Sequence, residues 1–286
     1  MSNVLLPILF ADDTNMFITG KDIEEMCNRM NADLKQIEEW LYCNKLSLNV
    51  MKTHYMIFTP RNKVVDDVNL CISNTRIHRV YVTKFLGVQI DSKLSWKDHI
   101  DYICKKLSKC VAILAKARRK LPQSCLISLY YSIAYPYFIY CNHVWGNNYQ
   151  TVLDKLILVQ KKIIRIITNS PYRAHTEPLF LANQILNVHD INVYNVGIFM
   201  YNTINSVVPT LFTSFFQQNV YFHRYNTRRA YDLHVPLGKT NVRKFSIRIN
   251  GAMVWNTLPE SVRESQSLMV FKKSLRKYLN DRKCMM

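Results

Sequence analysis

The 286-residue chain carries 38 Lys and Arg against 20 Asp and Glu, a formal charge of +18, with 49% apolar residues and only 6 Gly and 9 Pro. That composition excludes a wholly disordered chain, and the length suffices for two or three subdomains around a sizeable core. The charge is uneven: residues 1–100 hold 12 basic and 12 acidic side chains, residues 101–286 hold 26 and 8, which points to a polyanionic partner for the later two-thirds. A solvated basic surface or an organellar chain is the plain alternative.

In chain order, two short apolar runs, Val4–Leu9 and Met16–Ile18, flank Phe10-Ala11-Asp12-Asp13. The pattern predicts two strands joined by a tight turn that carries adjacent carboxylates. Like charges side by side are unfavourable unless a cation sits between them, and paired divalent ions are how polymerases clamp an in-line phosphoryl displacement. An Asx turn with a solvated acid pair is the other reading. Next, Ile23, Met26, Cys27, Met30, Leu34, Ile37 and Leu41 follow helical spacing, with Glu24, Glu25, Lys35, Glu38 and Glu39 on the wet side. Lys52–Phe58, ending at Pro60, reads as a strand, with one or two short strands near Leu70–Ile72 and Thr75–Ile77. Lys84–Asp91 is a further strand pattern in which Gly87 permits close backbone approach. Ser95, three residues before Asp98, resembles an N-cap opening a helix with a stripe of Ile100, Ile103, Leu107, Val111 and Leu114, closed by Leu121-Pro122.

Beyond this point the chain reads as mostly helical, over 123–134, 151–169, 189–207 and 267–280, with a strand at Phe245–Ile249. The predicted fold class is therefore α+β, a small sheet followed by helices. Leu126–Trp145 carries no Asp, Glu, Lys or Arg, yet Pro136, Asn142, His143 and five tyrosines suit a buried core helix better than lipid. Eight cysteines never fall in a Cys-x-x-Cys arrangement, so no zinc knuckle can be drawn and they read as reduced thiols. With no convincing membrane span and no charged-then-apolar leader, the expected location is the nucleus or cytoplasm, without a membrane partner.

Three basic faces stand out. One carries Lys105, Lys106, Lys109 and Lys116 and runs into Arg118-Arg119-Lys120; a second carries Lys155, Lys161, Lys162 and Arg165; the third carries Lys272, Lys273, Arg276 and Lys277. A charge run is usually a solvated face, but three with almost no compensating acid argue for sequence-independent phosphate contact. Arg224, Tyr225, Arg228 and Arg229 offer stacking and gripping groups for single-stranded nucleic acid, or are a core tyrosine among solvated arginines. His99, His175 and His189 show no ligand spacing and read as structural.

Phe10-Ala11-Asp12-Asp13-Thr14 resembles the active-site hairpin of a reverse transcriptase, and the rest of the chain agrees in order. Asn44–Asn49 with Lys52-Thr53-x-Tyr55-Met56-Ile57-Phe58, and then Lys84-Phe85-Leu86-Gly87-Val88, resemble successive palm motifs of non-LTR, jockey-like retrotransposon reverse transcriptases. Tyr140-Cys141-x-x-Val144-Trp145-Gly146, Gln160-Lys161-Lys162, His175-Thr176-x-Pro178-Leu179-Phe180 and Trp255-Asn256-x-Leu258-Pro259 are similar to the segments downstream.

The resemblance implies catalytic roles for Asp12, Asp13 and Lys52, with Asp12 and Asp13 as ligands of Mg²⁺ or Mn²⁺. It makes Phe85, Leu86 and Gly87 the primer-grip turn, and an RNA template, a DNA primer and a dNTP the partners of the intact enzyme. The nucleic-acid contacts would come from Lys105, Lys106, Lys109, Arg118, Arg119, Lys161, Lys162, Arg165, Arg228, Lys272 and Lys273. It further implies a partial palm over 1–95, a thumb-like region over 96–170 and a basic region over 171–286. Fingers, an earlier metal-binding Asp and a nucleotide-selecting motif belong upstream of Phe10 in that family. The chain is accordingly expected to be the C-terminal part of an RNA-directed DNA polymerase, with an incomplete metal site on its own, or a remnant that only binds RNA or DNA.

Overall fold

The computed structural model describes residues 6–11, 13–59, 65–222 and 229–284. They fall into two compact units. One runs to Phe85 and includes Ile90–Leu94; the other comprises Leu86–Gln89 and everything from Ser95 onward.

The first unit opens with β1 (Leu6–Phe10) antiparallel to β2 (Asp13–Phe17), Phe10 facing Asp13 across a two-residue turn. Ala11 sits at φ +53°, the left-handed region that such short hairpins require. α1 (Ile23–Cys43) is capped by Asp22, whose carboxylate accepts the Glu24 N–H at 2.9 Å, and Glu24 and Glu25 complement the dipole of its first turn. Its Leu34 joins Leu70, Ile72 and Ile77 in a small core.

So small a core leans on polar stitches. The Asn31 side chain donates to Asn69 O and accepts from Cys71 N–H, while the Tyr55 hydroxyl both donates to Val68 O and accepts from Val68 N–H. The strands are minimal. β3 (His54–Tyr55) pairs parallel with β6 (His78–Arg79), and β4 (Cys71–Ile72) antiparallel with β5 (Thr75–Arg76). The Lys52–Phe58 run, expected as one strand, is strand only at His54–Tyr55. Val50–Lys52 is a 3₁₀ turn, and the Thr53 hydroxyl donates back to Asn49 O, a local bond that competes with ladder pairing. β7 (Val82–Phe85) and β8 (Val88–Asp91) flank the turn Leu86-Gly87.

The second unit is helical. α2 (Lys97–Ala117) begins after Trp96 at φ +62°; Ser95, expected as the cap, lies one residue earlier and accepts the Lys97 N–H at 3.4 Å. α3 (Gln123–Leu129) runs through one π turn at Tyr130–Ala134 into α4 (Tyr135–Ile139). Pro136 accounts for the π turn: its ring cannot pack against the carbonyl four residues back and it has no N–H to give, so the spacing widens.

There follow α5 (Asn142–Trp145), α6 (Gln150–Ile167), α7 (Glu177–Ala182), α8 (Val188–Ile204) and α9 (Thr210–Thr213). α10 (Asn241–Phe245), α11 (Ile247–Thr257), α12 (Glu260–Arg263) and α13 (Leu268–Cys284) complete the chain. α2 packs along α6, and α8 against both α11 and α13. A continuous core results, with Leu107, Leu114, Trp145, Leu156 and Phe271 fully buried.

Phe245–Ile249, expected as a strand, is helical on either side of Ser246. The period that matters there is Ile249, Ala252 and Trp255, buried three residues apart, and the alternation of Phe245, Ile247 and Ile249 is coincidental. Within Leu126–Trp145 the side chains of Leu126, Tyr130, Phe138 and Trp145 are buried, and no helix among the described residues is long and apolar enough to cross a membrane.

Candidate nucleic-acid interface

The turn between β7 and β8 is held in an uncommon backbone state. Leu86 has φ +45° and Gly87 φ +85°, so glycine is required at the second position. The Tyr140 hydroxyl donates to Leu86 O at 2.6 Å, and a Cβ added at Gly87 would stand 3.2 Å from Tyr140 Cε1. On the other flank the Gln89 N–H donates to His99 Nδ1 at 3.2 Å, which leaves the imidazole proton on Nε2. Burial pushes His99 down to about 4, so the ring is neutral and stays an acceptor at ordinary pH. A cavity of about 340 Å³ opens beside the turn, lined by Gly87, His99, Tyr102, Pro136, Tyr137 and Tyr140 among others. Its walls are mostly aromatic and its tyrosines bring polar tips.

Two basic helices run next to one another through an ion pair. Lys155 Nζ on α6 meets Asp101 Oδ1 on α2 at 2.7 Å. Lys105 and Lys109 follow Asp101 by one and two turns, and Lys162 follows Lys155 by two turns. Helical spacing therefore lays three exposed lysines along the two sides of this seam. Lys106 leans over the Tyr102 ring at 5.4 Å and is half-buried. Arg118 and Arg119 are exposed just past the α2 C-terminus, where positive charge also suits the helix dipole.

Not every predicted basic residue is open to a partner. Arg165 donates its Nε–H to Ala174 O at 3.0 Å and faces the Tyr172 ring, so it braces the loop after α6. Arg276 donates to the Tyr131 hydroxyl and to Gln184 O, tying α13 to the core. Lys161 and Lys272 are half-buried, whereas Lys162 and Lys273 are exposed.

In the first unit Asp13 is exposed at the start of β2, Lys52 is exposed at the end of its 3₁₀ turn and Phe85 is half-buried. Asp12, Arg224, Tyr225 and Arg228 lie outside the described residues. Among the described residues no three His, Cys, Asp or Glu side chains converge as a metal ion requires. Sequence reasoning missed Tyr140 and Asp101. Each acts through a partner 54 residues away in the chain, and although Tyr140 opens a motif noted in the sequence, no local pattern reveals either contact.

Comparison with known proteins agrees with the motif series. The chain is 27% identical over 173 residues to the RNA-directed DNA polymerase from mobile element jockey of Drosophila melanogaster, a stretch covering 59% of this chain and 19% of that protein. The counterpart in Drosophila funebris is 26% identical over 174 residues, again 59% of this chain and 19% of the relative. A probable RNA-directed DNA polymerase from transposon X-element of Drosophila melanogaster is 23% identical over 184 residues, 63% of this chain and 20% of the relative. The matched stretch thus spans about a fifth of the length of these relatives. No family model matches the chain, and no solved structure matches it.

Proposed function

We propose that this chain, similar over about a fifth of their length to the RNA-directed DNA polymerases of jockey-type mobile elements, grips an RNA–DNA hybrid through its helical unit. In the intact parent the activity would be RNA-templated transfer of nucleotides to a primer 3′-hydroxyl, with Asp12 and Asp13 as carboxylates for Mg²⁺ or Mn²⁺ and Lys52 near the incoming dNTP. The ions would supply charge neutralisation for the phosphoryl displacement. For this chain the reading rests on what its own residues do: bind and orient.

The single observation that carries it is the turn Leu86-Gly87, clasped by Tyr140 and His99 in the same unit as the Asp101–Lys155 seam. The two bonds hold the turn rigid beside the aromatic cavity, and lysines along adjacent helices neutralise phosphates without reading sequence. In this reading the small-sheet unit is a partial palm, the α2–α6 region a thumb, and the remainder a basic C-terminal region. The second reading is a module that binds without copying, for which the basic seam suffices and no metal is needed.

Primer extension on poly(rA)/oligo(dT) with Mg²⁺ or Mn²⁺, run beside hybrid binding over a salt series, tests both readings. Salt-sensitive binding that is unchanged in Asp12→Ala/Asp13→Ala, without incorporation, supports the gripping module. Incorporation lost in the double variant supports a working metal site. Absence of binding at low salt contradicts the proposal.

A further inference from the structure

A second basic surface lies far along the chain from the seam and has a different chemistry. Residues 205–259 hold seven Lys and Arg against one acid, Asp232, and Arg263 neutralises that acid at 3.3 Å. Within this stretch two short segments run antiparallel as an irregular ribbon. Asn219 N–H donates to Asp232 O, Val220 N–H to Ala230 O and His234 N–H to Gln217 O, while Gln218 and Leu233 form a β-bridge.

The ribbon is fastened to the helical core. Asn256 on α11 accepts the Leu233 N–H at 2.9 Å and returns its own N–H to Leu233 O at 2.8 Å, a bidentate clasp that pins the backbone. What the ribbon displays is aromatic and open. Tyr221 is 77% exposed and Tyr231 73%, and Phe222, half exposed, already stacks on His234 at 4.0 Å between ring centroids. Arg229 is exposed on the same ribbon. Lys239, Arg243, Lys244 and Arg248 are exposed on the segment that follows, Arg248 lying over the Phe215 ring.

Tyrosine offers a large flat contact face with a polar tip, and a surface this basic repels a second copy of itself. Flat rings and exposed cations with no ion pair among the described residues match the two halves of a single strand, bases on the rings and phosphates on the cations. We propose that this ribbon is a stacking platform for single-stranded RNA. The choice of RNA rests on the reading above, in which the parent copies an RNA, and the single strand would be template outside the gripped hybrid. The two sites differ in kind. The seam neutralises a duplex backbone, whereas the ribbon takes up unpaired bases.

The test is fluorescence anisotropy with the full chain and four labelled probes. These are a mixed-sequence single-stranded RNA, the same sequence as DNA, an abasic RNA of equal length and an RNA–DNA hybrid. Tyr221→Ala and Tyr231→Ala are each expected to weaken binding of the single-stranded RNA by about tenfold. Tyr221→Phe should retain parent affinity, and the abasic and hybrid probes should not respond to any of the three. Equal weakening on the abasic strand, or no change on the intact one, overturns the platform. So does tighter binding of the DNA strand than the RNA. A concentration-dependent dimer that the Tyr variants dissociate in sedimentation would instead make the ribbon a self-association surface, and would overturn it too. Hybrid binding by the seam is read separately, so its failure is distinguishable from failure of the ribbon.

Discussion

Tyr140 and Leu86, 54 residues apart in the chain, are joined by a 2.6 Å hydrogen bond from the hydroxyl to the backbone carbonyl, and the same phenol ring closes over Gly87. One side chain thus fixes both the direction of the turn and the size of the residue it can contain.

Gly87→Ala is expected to destabilise the helical unit. An L side chain at φ +85° is strained, and its methyl would meet the Tyr140 ring at 3.2 Å, so the cost is about 1–2 kcal/mol. Urea unfolding with intrinsic fluorescence reads it, as a lower midpoint at unchanged slope. Tyr140→Phe keeps the packing and loses only the bond, so it should speed amide exchange near the turn with little change in midpoint.

His99 gives the helical unit a pH signature. Its pKa in the folded state, about 4, lies below the ordinary value of 6.5 because burial disfavours the cation. Unfolding therefore takes up a proton at acid pH. The stabilisation is complete above about pH 6.5 and is lost as pH falls toward 4. Over that window the loss should be of the order of 2–3 kcal/mol. His99→Gln should flatten the profile when urea midpoints are compared at pH 7.5 and 4.5; an unchanged profile assigns the dependence elsewhere.

Much of the first hundred residues was legible because its signals are local. The Phe10–Asp13 turn between apolar runs became the hairpin, and the Ile23–Leu41 stripe became α1 with Asp22 as its cap. In the second unit the stripe Ile100–Leu114 became α2 in the same way, whereas α8 is apolar on most sides and shows little such spacing. Misreadings came where a short pattern served two periods, as at Phe245–Ile249, or where a side chain captured the backbone, as Thr53 does. The site was legible in parts. Glycine at 87 signalled close approach, but the residue that approaches, Tyr140, is set by tertiary packing. Charge alone did not separate the exposed Lys162 from Arg165 and Arg276, whose guanidinium groups are used inside the fold.

Gly197 should tolerate nothing larger. α8 meets α13 there, and a Cβ would fall 2.7 Å from Leu275 Cδ2, so Gly197→Ala overpacks a fully buried contact. A loss of about 1–3 kcal/mol is expected in thermal or urea unfolding.

Arg282→Met should likewise loosen α13 from α8. Arg282 pairs with Asp190, which is 1% exposed in the first turn of α8, and removal of the guanidinium leaves a buried carboxylate short of its cation. Arg282 itself is 40% exposed, so the expected cost is about 1–2 kcal/mol. Arg282→Lys should recover part of it.

The most direct measurement is the salt dependence of RNA–DNA hybrid binding for the full chain and for Lys105→Gln/Lys109→Gln/Lys162→Gln. If these lysines line the duplex backbone, the slope of log K against log salt should become shallower by about 2–3 in the triple variant, with melting temperature preserved. An unchanged slope in a folded triple variant, or a parent chain that does not bind the hybrid at low salt, would contradict the seam as the gripping surface.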